Sequence, residues 1–401
     1  MMKNDIKFVS LGCRLNALEA EKIKAMLERA GCIYTFIVNT CAVTGEAERQ
    51  SKQAIRKLAR ENPGAVIFVT GCGATRAPDD FAALSGVTKV IVNKDKMDIQ
   101  AYGLEPDDSC QPPLSVLQSL SKGFVQIQNG CNHVCAYCIV SRLRGKNVSF
   151  PYEQISAQTR ALTENGYAEI VLTGVDIAGF TGLSDLCRKL LVDIPGLRRL
   201  RLSSLDPGVN LRPIADIMRN DPRMLPHIHL CMQSGSDAVL ARMGRRHNAQ
   251  MVRELAEYSV GITFSWDLIC GFPGETEGIF NETCALIKEL KPIRLHAFPF
   301  SPRPGTAAAT MPGQIDKAES KRRVRIVTDL ARENMLEFMK GQVGRVVSVL
   351  AEENNTARDA HDIPVKIEGV LKIPARSIID VKLIGIEQGK ELYFCGEIPI
   401  N

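Results

Sequence analysis

The chain has 401 residues, of which 45% are hydrophobic and 24% are charged, and its formal net charge is +5 at pH 7. This length and composition are typical of a globular protein with two or three domains. The first residues, MMKNDIKFVSLGC, lack the apolar stretch of a signal peptide, and no apolar run reaches membrane-spanning length. We therefore expect a cytoplasmic protein with no membrane partner. Thirteen cysteines in a reducing compartment favour metal or redox chemistry over a disulfide framework.

Residues 1–100 alternate strand and helix patterns. The runs IKFVSLGC, YTFIVNTC and AVIFVTGC predict strands, and helically spaced segments lie between them. This order predicts an α/β domain with a parallel sheet. Each strand pattern ends in a cysteine (Cys13, Cys41 and Cys72), and the carboxyl ends of parallel strands share one edge of a sheet. We expect the three thiols to converge at that edge; three separate buried cysteines are the alternative.

A polar, proline-bearing stretch at 101–122 predicts a linker. Residues 123–340 then alternate helix patterns with six strand patterns: FVQIQ, EIVLTG, LRLSSL, HIHLCMQ, ITFSWDLIC and RLHAFPF. Six parallel strands with intervening helices predict a partial (β/α)6 barrel, whose active site lies at the carboxyl ends of the strands. Residues 341–401 contain short strand patterns that predict a small β-barrel. That last segment has seven Lys and Arg against nine Asp and Glu, a poor balance for binding phosphate.

The stretch NGCNHVCAYCIV carries Cys131, Cys135 and Cys138 directly after the first barrel strand. Three thiols cannot all pair as disulfides. A tetrahedral zinc site needs a fourth ligand, for which His133 is a candidate. Ferredoxin-type motifs place a proline after the last cysteine, where Ile139 stands here. Three thiolates can also hold three irons of a 4Fe–4S cluster and leave the fourth iron open to a ligand.

The form C-x3-C-x2-C, with Tyr137 as the aromatic residue before the last cysteine, resembles the radical S-adenosylmethionine enzymes. The upstream cysteines, LTGVD, LRLSSLDP, QSGSD, GFPGET and FPFSPRPGT extend this resemblance to the methylthiotransferases, over residues 7 to about 340. LGCRLN and HAFPFSPRPGTAA are most similar to the branch that acts on N6-threonylcarbamoyladenosine beside the anticodon of tRNA. Branches that act on isopentenyladenosine in tRNA or on an aspartate of a ribosomal protein are the alternatives.

The resemblance implies two 4Fe–4S clusters, one on Cys131, Cys135 and Cys138 and one on Cys13, Cys41 and Cys72. The first would bind S-adenosylmethionine and release a 5′-deoxyadenosyl radical, and the second would carry the sulfur that is methylated and inserted. It also implies tRNA as a partner through its anticodon loop, an electron donor such as flavodoxin or ferredoxin, a monomeric state, and a TRAM-like RNA-binding domain at 341–401.

We further expect contacts to S-adenosylmethionine or substrate from Tyr137, Thr173, Gly174, Asp176, Ser203, Gln233 and Asp267. Hydrogen bonds within the loops of the barrel are the alternative for each. Arg142, Arg144 and Lys146 follow the cysteine loop and are candidates for contacts with phosphate or substrate. The chain departs from the family after CIV, where the usual proline and aromatic residue are absent and Phe150 replaces a second arginine. Two non-enzymatic alternatives are an iron–sulfur electron carrier and a zinc-stabilised RNA-binding protein.

Overall fold

The computed structural model describes residues 6–105, 120–369 and 373–399. The chain divides into two compact units. The first consists of Met1–Gln118, Gln128–Phe150 and Ser301–Ala309, and the second of Ser119–Ile127, Pro151–Phe300 and Thr310–Asn401. Most of the predicted linker (106–119), including Cys110, lies outside the described residues, and the three domain boundaries remain predictions. No helix among the described residues is long and apolar enough to cross a membrane.

The first unit is built on a four-stranded parallel sheet with the strand order β1-β2-β3-β4. Its elements are β1 Ile6–Ser10, α1 Arg14–Arg29, β2 Thr35–Thr40, α2 Gly45–Glu61, β3 Val66–Thr70, α3 Gly71–Arg76, α4 Pro78–Ala82 and β4 Lys89–Val90. Strand β2 is buried along its whole length, and its side chains alternate between two cores. Ile37 packs with Ile23 and Leu27 of α1, whereas Val38 packs with Ile55 of α2. The predicted parallel α/β domain is confirmed.

A loop closed by a short antiparallel ribbon completes the first unit. It follows β5 (Gly123–Gln126) in the chain and contains β6 Gln128–Asn129, α5 Val140–Arg144 and β7 Val148–Ser149. Strand β6 pairs with β7 at the base of the loop. Gly130 has a φ of 72°, and a Cβ at this position would lie 1.9 Å from the carbonyl oxygen of Lys146. Only glycine fits there, so the loop that carries Cys131, Cys135 and Cys138 is tightly closed.

The second unit contains six parallel strands in two three-stranded sheets, β5-β8-β9 and β10-β11-β12. Single bridges from Leu200 to Met224 and from Leu205 to Leu230 join the two sheets. The remaining elements are α6 Tyr152–Glu164, β8 Glu169–Thr173, α7 Leu183–Asp193, β9 Arg199–Leu202, α8 Arg212–Asn220, β10 His227–Gln233, α9 Asp237–Met243, α10 Ala249–Tyr258, β11 Thr263–Cys270, α11 Glu277–Leu290, β12 Arg294–Pro299 and α12 Lys317–Lys340. The predicted partial (β/α)6 barrel is confirmed.

A closed five-stranded barrel, the small barrel, follows α12 in the order β13-β14-β15-β17-β16. Its strands are β13 Val346–Ala351, β14 Thr356–Arg358, β15 Pro364–Ile367, β16 Ile378–Gln388 and β17 Leu392–Glu397. Its core contains Val349, Val381 and Phe394, and Met335 and Met339 of α12 belong to the same hydrophobic cluster. The small β-barrel predicted at the end of the chain is confirmed.

Buried charges join the small barrel to the amino-terminal ends of the (β/α)6 strands. Glu169, the first residue of β8, has no exposed side-chain surface and lies 2.7 Å from Arg201 and 3.3 Å from Lys122. Lys122 also pairs with Asp362 of the small barrel, and Arg294 lies 3.2 Å from the same carboxylate. Because removal of one partner leaves a buried charge uncompensated, this network ties the two barrels of the second unit together.

The buried carboxyl of Asp359 should make stability depend on pH. It accepts hydrogen bonds from the backbone N–H groups of His361 and Ile363, and burial raises its pKa to about 6. An unfolded aspartate has a pKa of about 3.9, so this group stabilises the fold below pH ~4 and the contribution is lost as the pH rises through its folded value. Asp359→Asn keeps the accepting oxygen and cannot ionise. Relative to the wild type, we expect it to gain roughly 2 kcal/mol of unfolding free energy between pH 4 and pH 7.5.

Urea unfolding at a series of pH values measures this gain. Asp380→Asn, at an exposed position of β16, is the matched control and should follow the wild type at every pH. Parallel curves for Asp359→Asn and the wild type would contradict the prediction.

Candidate active site

Three loops at the carboxyl edge of the first unit's sheet bring Cys13, Cys41 and Cys72 together. Cys13 is the N-cap of α1, Cys41 directly follows β2, and Cys72 is the second residue of α3. Gly12 has a φ of 96°, and a Cβ there would lie 2.7 Å from the sulfur of Cys41. Burial raises the pKa of the Cys41 thiol, and the nearby thiols of Cys72 and Cys13 raise it further. The strand ends thus place the three thiols in one group, as the topology predicts.

N–H groups donate to two of these three sulfurs. The sulfur of Cys41 accepts from the backbone N–H of Val43 at 3.5 Å, and that of Cys72 accepts from the Asn93 side chain at 3.5 Å. No disulfide joins any of the described cysteines. Hydrogen bonds to the sulfurs stabilise and tune bound clusters. Three thiols with such donors fit a 4Fe–4S cluster that keeps one iron open.

The Cys131, Cys135 and Cys138 loop has the same chemistry. The sulfur of Cys131 accepts from the backbone N–H of His133 at 3.4 Å, and that of Cys138 accepts from the backbone N–H of Val140 at 3.4 Å. A backbone hydrogen bond from Cys138 to Cys135 closes the turn between them at 3.0 Å. All three cysteines are partly exposed. The loop therefore offers three accessible thiols with hydrogen bonds already directed at two of them.

The segment Ser301–Ala309, which carries the SPRPGTAA motif, holds this loop from one side. The backbone N–H of Ala308 donates to the carbonyl oxygen of Ala136 at 2.8 Å, and the Arg142 guanidinium donates to the carbonyl oxygen of Gly305. The motif thus contacts the loop both between its cysteines and after them. This gives the motif a structural role that its sequence does not reveal.

An ion pair and a hydrogen bond join the segment Ser301–Ala309 to the start of α2. Arg303, only 6% exposed, lies 2.6 Å from the carboxylate of Glu48, and Arg76 pairs with the same carboxylate. The backbone N–H of Gly45 donates to the hydroxyl of Ser301 at 3.2 Å. The motif is therefore anchored to the element that directly follows Cys41.

Arg144 lies in a buried cluster of charges. Its side chain is 3% exposed, lies 2.8 Å from Glu19 and donates to the side-chain oxygen of Asn16 at 2.6 Å. Lys96, also 3% exposed, lies 2.7 Å from Glu19. Burial alone would raise the pKa of Glu19, but Lys96 and Arg144 outweigh it and hold that pKa at about 2. These buried ion pairs favour a positioning role for Arg144 over the predicted contact with phosphate, whereas Arg142 and Lys146 are exposed.

Asn93 connects the two groups of cysteines. Its side-chain nitrogen lies 3.5 Å from the sulfur of Cys72 and donates to the carbonyl oxygen of Leu143, in α5, at 3.0 Å. Its side-chain oxygen accepts from Lys96 at 2.9 Å. We did not single out Asn93 from the sequence; the available signal was its place just after β4, at the same edge of the sheet as the cysteines.

The predicted contact residues of the second unit lie mostly at strand ends. Thr173 is the last residue of β8, Gln233 is the last of β10, and Ser203 directly follows β9. Gly174 and Asp176 follow β8. Tyr137 belongs to the first unit, inside the cysteine loop. The roles of these residues in binding remain predictions.

Asp267 lies within β11, three residues before the strand ends. His229 of β10 lies 3.0 Å from its carboxylate, and His296 of β12 lies 3.4 Å from the same oxygen. Although burial raises the pKa of Asp267, the hydrogen bonds from the two imidazoles hold it well below its usual range. Sequence reasoning missed both histidines. Their signal was the alternation of polar residues in HIHLC, SWD and RLHAF, which places them on one face of neighbouring strands.

Known proteins with this fold identify the class. The family profile described as "Radical SAM superfamily" matches residues 125–287, and one described as "Uncharacterized protein family UPF0004" matches residues 5–93. A solved radical S-adenosylmethionine methyltransferase from Kitasatospora setae aligns with a TM-score of 0.57 over 77% of each chain at 13% identity, which shows a shared fold. The fold, together with the cysteine loop, defines a radical S-adenosylmethionine enzyme that uses S-adenosylmethionine and a 4Fe–4S cluster.

Curated relatives identify the family within this class of enzymes. The threonylcarbamoyladenosine tRNA methylthiotransferase MtaB of Rickettsia prowazekii is 37% identical over 97% of both chains, and the protein of the same name from Thermotoga maritima is 31% identical over 86% of both. The tRNA-2-methylthio-N(6)-dimethylallyladenosine synthase of Zymomonas mobilis is 29% identical over 87% of this chain and 86% of its own. The chain belongs to the radical S-adenosylmethionine methylthiotransferase family.

Removing the charge of Glu19 should lower the free energy of unfolding of the first unit. Glu19→Gln leaves Arg144 and Lys96 buried without a counter-ion, which typically costs about 3–5 kcal/mol. Urea unfolding of the full chain measures this loss. Glu28→Gln on the same helix is the matched control, because Glu28 is 46% exposed and pairs with Lys24 at 3.5 Å, and it should change stability by less than about 0.5 kcal/mol. Equal losses in the two variants would show that the buried cluster does not stabilise the unit.

Proposed function

We propose that this protein adds a methylthio group to carbon 2 of N6-threonylcarbamoyladenosine, next to the anticodon of tRNA. The observation that carries the proposal is the similarity to threonylcarbamoyladenosine tRNA methylthiotransferases along almost the whole chain, with 37% identity over 97% of it in one case. The two cysteine groups in the first unit supply the ligands that this chemistry needs. Similarity to enzymes named for the dimethylallyl nucleoside is lower, at 29% identity over 87% of the chain, which favours the threonylcarbamoyl substrate.

The two cysteine groups have separate assignments. Cys131, Cys135 and Cys138 hold the cluster that binds S-adenosylmethionine, and the second cluster has three ligands: Cys13, Cys41 and Cys72. When bound, the first cluster and its S-adenosylmethionine supply a radical able to remove hydrogen from a carbon that no acid or base can activate. The chain's own contribution is to fix the thiols, through the backbone N–H groups that reach the sulfurs of Cys131 and Cys138.

Substrate binding is assigned to exposed basic residues and to the strand ends of the barrel. An adenosine in the anticodon loop is single-stranded, so its base can be turned into a pocket without breaking a duplex. Arg142 and Lys146 are exposed directly after the cysteine loop, and we assign them to contacts with tRNA phosphates. Thr173, Asp176, Ser203 and their neighbours are assigned to S-adenosylmethionine and the base. The chain acts as a monomer with an electron donor such as flavodoxin or ferredoxin.

The two cysteine groups should give different phenotypes. Cys131, Cys135 and Cys138 replaced together by alanine should abolish the formation of 5′-deoxyadenosine, because an incomplete thiolate set cannot hold a cluster with an open iron. The Cys13, Cys41 and Cys72 triple variant should still form 5′-deoxyadenosine, lose about half of the iron and make no methylthio product. Chromatography of the nucleosides and iron analysis measure these effects. Cys284→Ala is the control, since Cys284 is a free thiol on α11 in the other unit.

Normal 5′-deoxyadenosine formation by the first triple variant would overturn the assignment of the radical cluster. Full iron content together with product in the second variant would overturn the second cluster.

The substrate is tested by mass spectrometry of tRNA nucleosides from a strain that lacks the gene. We expect the methylthio form of threonylcarbamoyladenosine to disappear and its precursor to accumulate. Expression of the wild-type chain should restore the product, and the Cys131→Ala chain should not. If the methylthio form of isopentenyladenosine is lost instead, the proposed substrate is wrong and the sister reaction takes its place.

A further inference from the structure

A continuous chain of hydrogen bonds runs through the interior of the (β/α)6 barrel in the second unit. We name it the lumen column. Its members, in order from the small barrel, are His361, Thr263, His227, Ser265, His229 and Asp267. The five successive links measure 2.9, 2.7, 2.9, 2.7 and 3.0 Å. A loop of the small barrel is thereby connected to the middle of the larger barrel's interior.

Strand register explains how the sequence builds this column. His227 pairs with Thr263 and His229 with Ser265 across β10 and β11, and Asp267 pairs with His296 across β11 and β12. Successive residues of a strand point to opposite faces, so these alternate polar residues share one face. The residues between them, such as Trp266, are buried on the other face. In a barrel of this kind the shared polar face is the interior.

The direction of the hydrogen bonds is fixed by Asp267. An ionised carboxylate only accepts, so Nε2–H of His229 donates to it, and Nδ1 of His229 is left to accept from the Ser265 hydroxyl. The same logic passes through His227 and Thr263 to Nδ1–H of His361. Burial lowers the pKa of His227 well below its usual range and that of His361 to about 4, so both are neutral at pH 7. The Thr263 hydroxyl lies closer to His227, at 2.7 Å, than to the carbonyl oxygen of Pro226, at 3.3 Å.

His296 stands at the open end of the column. It is 49% exposed, its Nδ1 lies 3.4 Å from the Asp267 oxygen that His229 also contacts, and its ring centroid is 5.1 Å from that of His229. Exposure rises along the interior, from 7% at His227 to 48% at Phe298. The interior is thus closed at the small barrel and opens towards the carboxyl ends of the strands, where a ligand enters such a barrel.

We propose that His296 binds the carboxylate of the threonylcarbamoyl group and that the lumen column positions His296 through Asp267. The inference rests on the proposed function and deepens it. A carboxylate bound to Nδ1 of an imidazole stabilises the imidazolium form, as in the catalytic triad. Nε2–H of that imidazolium then donates a charge-assisted hydrogen bond to a second carboxylate. A dimethylallyl group has no anion to accept this bond, so the same residue discriminates against it.

Charged groups around His296 are consistent with this role. Asp267 faces it from β11 and His229 from β10. Arg294, two residues earlier on β12, is paired with Asp362 and Lys122 is paired with Glu169, both at the closed end. Because the Ser265 hydroxyl donates to Nδ1 of His229, Nε2–H of His229 donates to Asp267. The second lone pair of that Asp267 oxygen is then left to accept from His296.

Binding measurements with two RNAs test the assignment of His296. One is an anticodon stem-loop that carries N6-threonylcarbamoyladenosine, and the other carries its methyl ester, which has the same shape without the charge. The wild-type holoenzyme should bind the acid about tenfold more tightly or better, as expected for one charge-assisted hydrogen bond. In His296→Phe the two dissociation constants should agree within about twofold.

Phe298→Leu is the matched control, because Phe298 is on the same strand with nearly the same exposure, 48%. Its preference for the acid should equal that of the wild type. A His296→Phe chain that keeps the full preference would overturn the proposal. If the wild type modifies the threonylcarbamoyl RNA but binds acid and ester equally, only the inference fails. If it modifies the isopentenyl RNA instead, the proposed function fails.

Nitrogen-15 NMR of the six histidines in the full-length chain tests the column itself. His361 should carry its proton on Nδ1, and His227 and His229 should carry theirs on Nε2. His361→Phe removes the first donor and should reduce the preference for the acid, whereas His361→Gln, which retains an N–H, should preserve part of it. Phe338→Leu removes the ring contact with His361, in which the centroids are 5.1 Å apart, and keeps an apolar side chain against the core of the small barrel. It should leave the preference unchanged. The opposite tautomer at His361, or an unchanged preference in His361→Phe, would refute the positioning role.

Discussion

The first unit depends on the ion pairs that the buried carboxylate of Glu19 forms with Arg144 and Lys96. That carboxylate is contributed by α1, the helix that Cys13 caps, and it is buried against Arg144 at 2.8 Å and Lys96 at 2.7 Å. Arg144 ends the helix that follows Cys138, and Lys96 contacts Asn93, which in turn reaches Cys72. One buried anion therefore contacts segments that carry cysteines of both groups.

The polar side chains of the second unit change in kind along the axis of its (β/α)6 barrel. At the amino-terminal ends of the strands, Glu169, Arg201 and Asp362 form a closed charged layer with the small barrel. Above that layer the polar groups are imidazoles and hydroxyls, which are joined by hydrogen bonds and not by ion pairs. Nearer to the open end, the side chain of Asp267 is 23% exposed and that of His296 is 49% exposed. A gradient from fixed ion pairs to an exposed imidazole therefore runs from the closed end to the open end.

The sequence predicts what local pattern and topology control. Strand runs, the parallel sheet, the six barrel strands and the small barrel follow from hydrophobic periodicity, and the meeting of Cys13, Cys41 and Cys72 follows from the common edge of parallel strands. It does not predict side-chain partners that are distant in the chain. Arg144 is 125 positions from Glu19, and His361 is 98 positions from Thr263. Arg144 was therefore interpreted from its local basic neighbours, whereas its burial is decided by α1, and the histidines became significant only once strand register aligned them.

The discontinuous make-up of the first unit has a consequence for biosynthesis. Its last segment, Ser301–Ala309, holds the Cys131 loop through Ala308 and Gly305 and emerges from the ribosome long after Cys72. At synthesis rates of about 5–20 residues per second, that interval lasts about 10 to 50 seconds. During it the cysteine thiols belong to an unfinished unit and are open to oxidation and to metals such as zinc. The first unit can therefore be completed only after about three quarters of the chain has been made.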